Sequence, residues 1–159
     1  MRIERIRTVE ERFMLEALKE AEKALEKDEV PVGAVIVHGG KIIARAHNQN
    51  VLLKDPTAHA EMVAITEATA ALKTERLLES KLYVTIEPCA MCAGALVLAR
   101  VKRIIFGAED PKAGACGSVL NVAHHKKLNH RIPMTSGVLE KECRSLIQEF
   151  FRRKRKKEN

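Results

Sequence analysis

Residues 82–92 read Leu-Tyr-Val-Thr-Ile-Glu-Pro-Cys-Ala-Met-Cys and join a predicted strand directly to a predicted helix. The first five residues, Leu82–Ile86, are mostly apolar or β-branched, which favours a buried strand. Pro88 suits the start of a helix, because a backbone N–H in the first turn has no partner within the helix. We therefore predict a strand over 82–86 and a helix from Pro88 to about Ala99.

The neighbouring segments extend this unit into a sheet. A second strand is predicted over Arg103–Gly107, and because a predicted helix connects it to the first, the two strands are expected to be parallel. Upstream, Val32–His38 and Lys41–His47 flank Gly39-Gly40. Two glycines between extended apolar runs indicate a tight hairpin. This order of elements predicts an α/β fold with helices on the faces of the sheet.

Three more helices complete the predicted fold. They are expected over about 8–27, 58–73 and 138–156. Thr8 and Glu11 form a capping-box pattern at the start of the first helix, where each side chain can bond to the other's backbone amide. Residues 48–57 and 108–135 carry mixed signals and are predicted as loops and short turns.

Length and composition indicate one domain over residues 1–159. Aromatic residues make up only 3% of the chain, so the core is expected to consist of Val, Ile, Leu and Ala. The apolar stretches are too short to cross a membrane. Met1–Arg5 shows no apolar core of a signal peptide, and we expect a cytoplasmic protein with no membrane partner.

The positive charge is concentrated at the C-terminus. The formal net charge is +7, and five of these charges come from the last ten residues, which contain six basic residues and one acidic residue. This tail, at about 152–159, could be only a solvated face. It also suits a polyanion such as nucleic acid, whose binding is dominated by phosphate contacts.

A His-x-Glu pattern and a Cys-x-x-Cys pattern carry the predicted chemistry. His59, Cys89 and Cys92 offer one imidazole and two thiolates, which suit zinc. Three protein ligands leave one tetrahedral position for a water, whose pKa zinc lowers from near 15.7 to about 7. Glu61 is then placed to move protons as the general acid and base.

Other readings of the cysteines and histidines remain open. The zinc could be structural and closed by a fourth ligand, which would leave Glu61 without a role. The candidates for that ligand are Cys116, His124, His125 and His130. A disulfide is disfavoured in a reducing compartment. For Cys116 and Cys143 we favour small, buried apolar side chains.

Taken together, the two ligand patterns resemble those of the zinc-dependent nucleobase and nucleoside deaminases. Further segments narrow the resemblance to the bacterial tRNA adenosine deaminases, and it covers about residues 8–156. These segments are Val30–Val35, Asp55–Glu61, Leu82–Thr85, Glu87–Ala95, Phe106–Gly114, Leu128–Arg131 and Phe150–Arg152.

This resemblance implies a fold, a reaction and a metal. The implied fold is the cytidine-deaminase-like three-layer α/β/α sandwich with a mixed five-stranded sheet, in a homodimer. The implied reaction is hydrolytic deamination of adenosine to inosine at the wobble position of a tRNA anticodon stem-loop. One Zn²⁺ per subunit would be bound by His59, Cys89 and Cys92, with Glu61 as the acid and base.

The resemblance also implies substrate contacts. Asn48 matches a residue that contacts the target base, and Asp110 one near the ribose of a flanking nucleotide. Asn129, Phe150 and Phe151 match the surface that holds the anticodon loop. From the residues alone, Asn48 could be a turn residue and Asp110 a helix cap. One phenylalanine is expected in the core and the other against RNA, with the order left open.

Two other functions compete with this one. The first is a deaminase of the same fold that acts on a free base or nucleoside. The second is a non-catalytic RNA-binding module with a structural zinc ion.

Overall fold

The computed structural model describes residues 5–159. The prediction that the chain begins without a signal-peptide core falls largely on residues 1–4, which lie outside this range. The elements, in chain order, are α1 Val9–Glu26, β1 Gly33–His38, β2 Lys41–His47, α2 Asn50–Leu53, α3 Ala60–Leu72, β3 Ser80–Ile86, α4 Ala90–Leu98, β4 Arg103–Ala108, β5 Met134–Thr135 and α5 Glu140–Glu158.

The strands form one mixed sheet in the order β2-β1-β3-β4-β5. β1 is antiparallel to both of its neighbours, β2 and β3. β3 is parallel to β4, and β4 is parallel to β5. The predicted hairpin, the parallel pair and the five-stranded mixed sheet are therefore confirmed.

Helices cover both faces of the sheet. Alternate side chains of β1 point to opposite faces, so that Val35 packs in one cluster with α1 and α5, and Ile36 in another with α3 and α4. At Gly33 the backbone of α1 comes so close that an added Cβ would lie 1.9 Å from the carbonyl oxygen of Ala17. This arrangement confirms the predicted α/β/α sandwich.

The register of the strands gathers several strand ends at one edge of the sheet. Gly33 at the start of β1 pairs with His47 at the end of β2, and Ile86 at the end of β3 pairs with Ala108 at the end of β4. α3 and α4 also begin near this edge. The residues that follow these strands and open these helices are therefore brought together.

The structure also departs from the sequence prediction. The segment 48–57, predicted as a loop, contains α2, and the last two residues of the segment 108–135 form the strand β5. Elements of four and two residues are too short to show a hydrophobic period. The helix predicted to start at Pro88 starts two residues later: α4 begins at Ala90, and Cys89 occupies its N-cap position. Among residues 5–159, no helix is both long and apolar enough to cross a membrane.

Candidate metal centre and active site

The three predicted metal ligands meet at this edge of the sheet. His59 caps the N-terminus of α3, Cys89 caps α4, and Cys92 lies in the first turn of α4. The sulfur atoms of Cys89 and Cys92 each lie 3.6 Å from Nδ1 of His59. All three ligand atoms lie within 4.8 Å of one another.

The spacing of these atoms fits zinc. Tetrahedral coordination with Zn–S near 2.3 Å and Zn–N of about 2.0–2.1 Å places sulfur and nitrogen roughly 3.6 Å apart. The Cys89 and Cys92 sulfurs match this separation from the His59 nitrogen. Both thiols also lie at a helix N-terminus, where the helix dipole favours thiolates.

The neighbours of Cys89 favour its thiolate, the form that binds a metal. Hydrogen bonds with Cys92 and His59 lower the pKa of the Cys89 thiol to about 3. The hydrogen bond to Cys89 raises the pKa of the His59 imidazole. The same neighbour raises the pKa of Cys92. Cys89 is therefore the first of the two thiols to become a thiolate.

Among the described residues, the cluster comprises these three side chains. The four alternative ligands do not join it: Cys116, His124, His125 and His130. His124 Nδ1 lies 3.2 Å from the carbonyl oxygen of Ile132, and His130 Nε2 lies 2.8 Å from that of Val101. The geometry therefore supports three ligands rather than a closed set of four.

Glu61 lies beside the ligands in the first turn of α3. Its side chain is buried, and it lines a cavity of about 260 Å³ together with His59 and Cys89. Burial raises the pKa of its carboxyl group, against the opposing effects of a backbone hydrogen bond and of His59. A carboxyl group with a raised pKa is suited to hold and release a proton near neutral pH.

Asn48 connects the end of β2 to the start of α3. Its side-chain oxygen Oδ1 accepts a hydrogen bond from the backbone amide of Ala60 at 2.7 Å. The residue is buried and lines the same cavity as Glu61. With Oδ1 engaged, the Nδ2 group is the part of Asn48 that can donate to a bound ligand.

Asp110 also lines this cavity, from the loop after β4. Its Oδ1 atom accepts from the amides of Lys112 at 3.0 Å and Ala113 at 3.2 Å. Asp110 therefore caps a turn, and the helix-cap alternative is wrong because no helix of residues 5–159 begins there. Asp110 also lines a second cavity of about 370 Å³ that shares Val30 and Ile86 with the first.

The two adjacent phenylalanines have different environments. Phe150 is 4% exposed, whereas Phe151 is 44% exposed and lines the second cavity. Phe150 is therefore the one in the protein interior, and Phe151 is the one available to a ligand. Asn129 is exposed and is not among the described residues that line either cavity.

Sequence reasoning assigned no role to Glu87, which immediately precedes Pro88. Burial raises the pKa of its carboxyl group, but the Ser118 hydroxyl and the amides of Asp110, Cys116 and Ser118 outweigh this effect and lower it. Glu87 is therefore a buried, ionised carboxylate next to the candidate metal ligands. Its donors come from a distant loop, and the sequence contains no signal for that contact.

The fold and the site define a deaminase. The family model of MafB19-like deaminases matches residues 9–155. A tRNA-specific adenosine deaminase from Bacillus subtilis is 53% identical over 94% of this chain and 93% of its own length. The chain belongs to the family of tRNA-specific adenosine deaminases, which are enzymes. This membership overturns the alternative of a non-catalytic RNA-binding module.

Two solved structures support the fold. One comes from a study of A-to-I editing by tRNA:A34 deaminases at the wobble position of transfer RNA. It matches with a TM-score of 0.82 and 46% identity, over 85% of this chain and 98% of that chain. A guanine deaminase from Bacillus subtilis matches with a TM-score of 0.61 and 39% identity, over 68% of this chain and 69% of that chain.

Proposed function

We propose that this enzyme deaminates adenosine to inosine at the wobble position of a tRNA anticodon. The observation that carries the proposal is a buried carboxyl group, Glu61, beside a three-ligand cluster in the wall of a cavity. High identity to a tRNA-specific adenosine deaminase supports the choice of substrate.

His59, Cys89 and Cys92 would hold one zinc ion per subunit. When bound, zinc supplies Lewis-acid activation of a water molecule at neutral pH. Glu61 receives the proton that the water loses and transfers it to a ring nitrogen of the adenine. After the water oxygen has bonded to the amine-bearing ring carbon, the same carboxylate takes the remaining hydroxyl proton and delivers it to the departing amine. The carbon–nitrogen bond then breaks, so that water and adenosine become inosine and ammonia. General acid–base catalysis of this kind contributes about 10²–10⁴-fold.

The cavity lined by Glu61, called the inner cavity, and the cavity lined by Phe151, called the outer cavity, share lining residues. Together they suit a base that is turned out of an RNA loop. In the inner cavity, the Nδ2 group of Asn48 would donate to the adenine. In the outer cavity, Phe151 offers an aromatic surface for a flanking base, and Asp110 lies between the two sites. Sequence-specific RNA recognition commonly uses such splayed bases stacked on aromatic side chains. Asn129 would contact the loop farther from the reaction centre.

The C-terminal part of α5 would bind phosphates. Arg152 and Arg153 both pair with Glu149, at 2.6 and 2.8 Å. Among the described residues, no carboxylate pairs with Lys154, Arg155 or Lys156, so these three basic side chains are available to RNA. A tRNA substrate also implies that the enzyme works in the cytoplasm.

We also propose a homodimer in which α4 packs against a second copy. The nine residues of α4, AMCAGALVL, include no charged side chain, and Leu98 is 81% exposed. A helix that is apolar on all sides is normally buried. A second copy of the chain would cover this face.

A deaminase that acts on free guanine is the second candidate, because the guanine deaminase match favours it. The inner cavity alone would serve such a substrate. That function gives no role to Phe151 in the outer cavity or to the basic end of α5. For this reason tRNA is the better substrate.

The test compares substrates for the purified, zinc-loaded protein. They are an anticodon stem-loop with adenosine at the wobble position, the same stem-loop with adenosine moved one position, and free adenosine, cytidine and guanine. Inosine in the first stem-loop alone supports the proposal. Turnover of a free base without any inosine in the stem-loop would overturn it.

A further inference from the structure

We propose that Glu87 is a positioning residue, whose carboxylate anchors the loop 109–118 and thereby sets the wall of the substrate cavity. The kinetic part of this inference rests on the proposed function, whereas the anchoring itself does not. Glu87 lies between the end of β3 and the start of α4, with Pro88 as the only residue between it and the ligand Cys89.

The carboxylate of Glu87 is saturated by donors from this loop. Oε1 accepts from the amide of Asp110 at 3.1 Å and from the hydroxyl of Ser118. Oε2 accepts from the amides of Cys116 at 2.9 Å and Ser118 at 3.1 Å. Within residues 5–159, no lysine or arginine forms an ion pair with it. Charge-assisted bonds of this kind are stronger than bonds between neutral groups.

The loop also passes directly over the carboxylate. A Cβ added at Gly114 would lie 2.4 Å from the carboxyl carbon and one oxygen of Glu87, so only glycine fits there. Two backbone hydrogen bonds also join the loop to the segment that contains Glu87. The amide of Ala115 donates to the Pro88 carbonyl and the amide of Glu87 to the Ala108 carbonyl, both at 2.8 Å. The loop is therefore wrapped around a buried anion and fixed at its base.

This anchor couples the metal ligands to the substrate cavity. Asp110 and Ala113 lie in the anchored loop and line the same cavity as Glu61. Although Glu87 also borders the cavity, its four hydrogen bonds all go to the loop, so it acts on the substrate through Asp110. Reacting groups that are displaced by about 1 Å can lose roughly 10²-fold in rate.

Glutamine has the same shape as glutamate but is neutral, and we expect that it cannot anchor the loop at this position. The amide of Glu87→Gln would present an NH₂ group to N–H donors that now meet an oxygen.

Ser118→Ala removes a single donor at the far end of the loop, and Ser118→Thr keeps the hydroxyl. Gly114→Ala disturbs the same contact from the loop side. The exposed Glu79→Gln, near the opposite edge of the sheet, is the matched control.

The experiment measures three quantities on these zinc-loaded variants: zinc content, hydrogen exchange of the loop amides, and kcat and KM for the anticodon stem-loop. We expect Glu87→Gln to keep one zinc ion and to exchange the amides of Cys116 and Ser118 at least about tenfold faster, because charged bonds protect them. We expect kcat/KM to fall about 10- to 100-fold, with a rise in KM. Ser118→Ala should show a smaller change in the same direction, and Ser118→Thr should restore the wild-type values.

Several results would overturn the proposal. Unchanged exchange of the loop amides in Glu87→Gln would show that the carboxylate does not anchor the loop. Faster exchange with wild-type kcat/KM per zinc-loaded molecule would leave Glu87 a stability residue only. If Glu87→Gln does not fold, Ser118→Ala decides by the same two measurements. If the wild-type enzyme is inactive on the stem-loop, the proposed function fails, while hydrogen exchange still tests the anchor.

Discussion

Asn48 accepts a hydrogen bond from the backbone amide of Ala60 at 2.7 Å, and Ala60 lies between the proposed ligand His59 and the carboxyl group of Glu61. This single contact joins the end of β2 to the first turn of α3. Together with the bond from the Gln49 amide to the Ala58 carbonyl at 3.0 Å, it holds the start of α3, which carries both candidate functional side chains.

Replacement of Asn48 separates its structural role from its proposed contact with the base. Asn48→Ala leaves the buried amide of Ala60 without an acceptor, and the free energy of unfolding should fall by about 1–3 kcal/mol in urea denaturation. Asn48→Asp keeps an oxygen for that amide and should retain most of the stability. It loses the Nδ2 donor, and kcat/KM should fall about tenfold or more. Wild-type kcat/KM in Asn48→Asp would exclude the contact with the base.

Glu61→Gln should separate proton transfer from metal binding. The amide cannot carry the proton, so kcat should fall by about 10²–10⁴-fold or more, while zinc remains at one ion per chain. Inosine formation and elemental analysis measure the two effects. Glu67→Gln, an exposed position on the same helix, is the control and should behave as the wild type. Loss of the metal in Glu61→Gln would mean instead that Glu61 is a ligand.

The meeting of the predicted ligands could be foreseen from the sequence. His59, Cys89 and Cys92 all lie at helix starts, and the pattern of strands and helices brings such starts to one edge of the sheet. The anchor at Glu87 could not be foreseen in the same way. Its donors are mostly backbone amides 23 to 31 residues away, and backbone groups have no sequence signature.

The order of the two phenylalanines could not be predicted either. Adjacent residues on a helix point about 100° apart, so periodicity places one of them inward. Which one depends on how α5 docks on the sheet, and the structure places Phe150 inward. The short elements α2 and β5 depend on tertiary contacts in the same way.

The basic end of α5 should account for part of the affinity for RNA. The full-length triple variant Lys154→Gln, Arg155→Gln, Lys156→Gln should bind the stem-loop more weakly. The salt dependence of binding should fall by about 0.7 in logarithmic slope per lost phosphate contact. Fluorescence anisotropy at several salt concentrations measures this slope.

A control for this variant removes the same charge from exposed lysines away from the site. Lys41 opens β2, Lys73 follows α3 and Lys102 precedes β4, each at the end of its element remote from the site. These exposed lysines can be changed to glutamine together. Their loss should leave the salt slope close to that of the wild type. An equal decrease in both variants would mean that only net charge matters and not the position of the tail.

The exposed face of α4 should control the oligomeric state. Leu98→Glu places a charge in the proposed interface, where an unpaired charge is costly, and light scattering should show a monomer at concentrations at which the wild type is a dimer. Val9→Glu changes an exposed residue on α1, across the sheet, and should remain a dimer. A wild-type monomer, or a dimer that survives Leu98→Glu, would contradict the α4 interface.

The most direct test of the account is a zinc titration of metal-depleted enzyme with the wobble-adenosine stem-loop as the substrate. We expect no inosine before zinc is added and a rate that rises linearly until one zinc ion is bound per chain. Inosine formation by the metal-depleted enzyme, or none at full zinc loading, would contradict it.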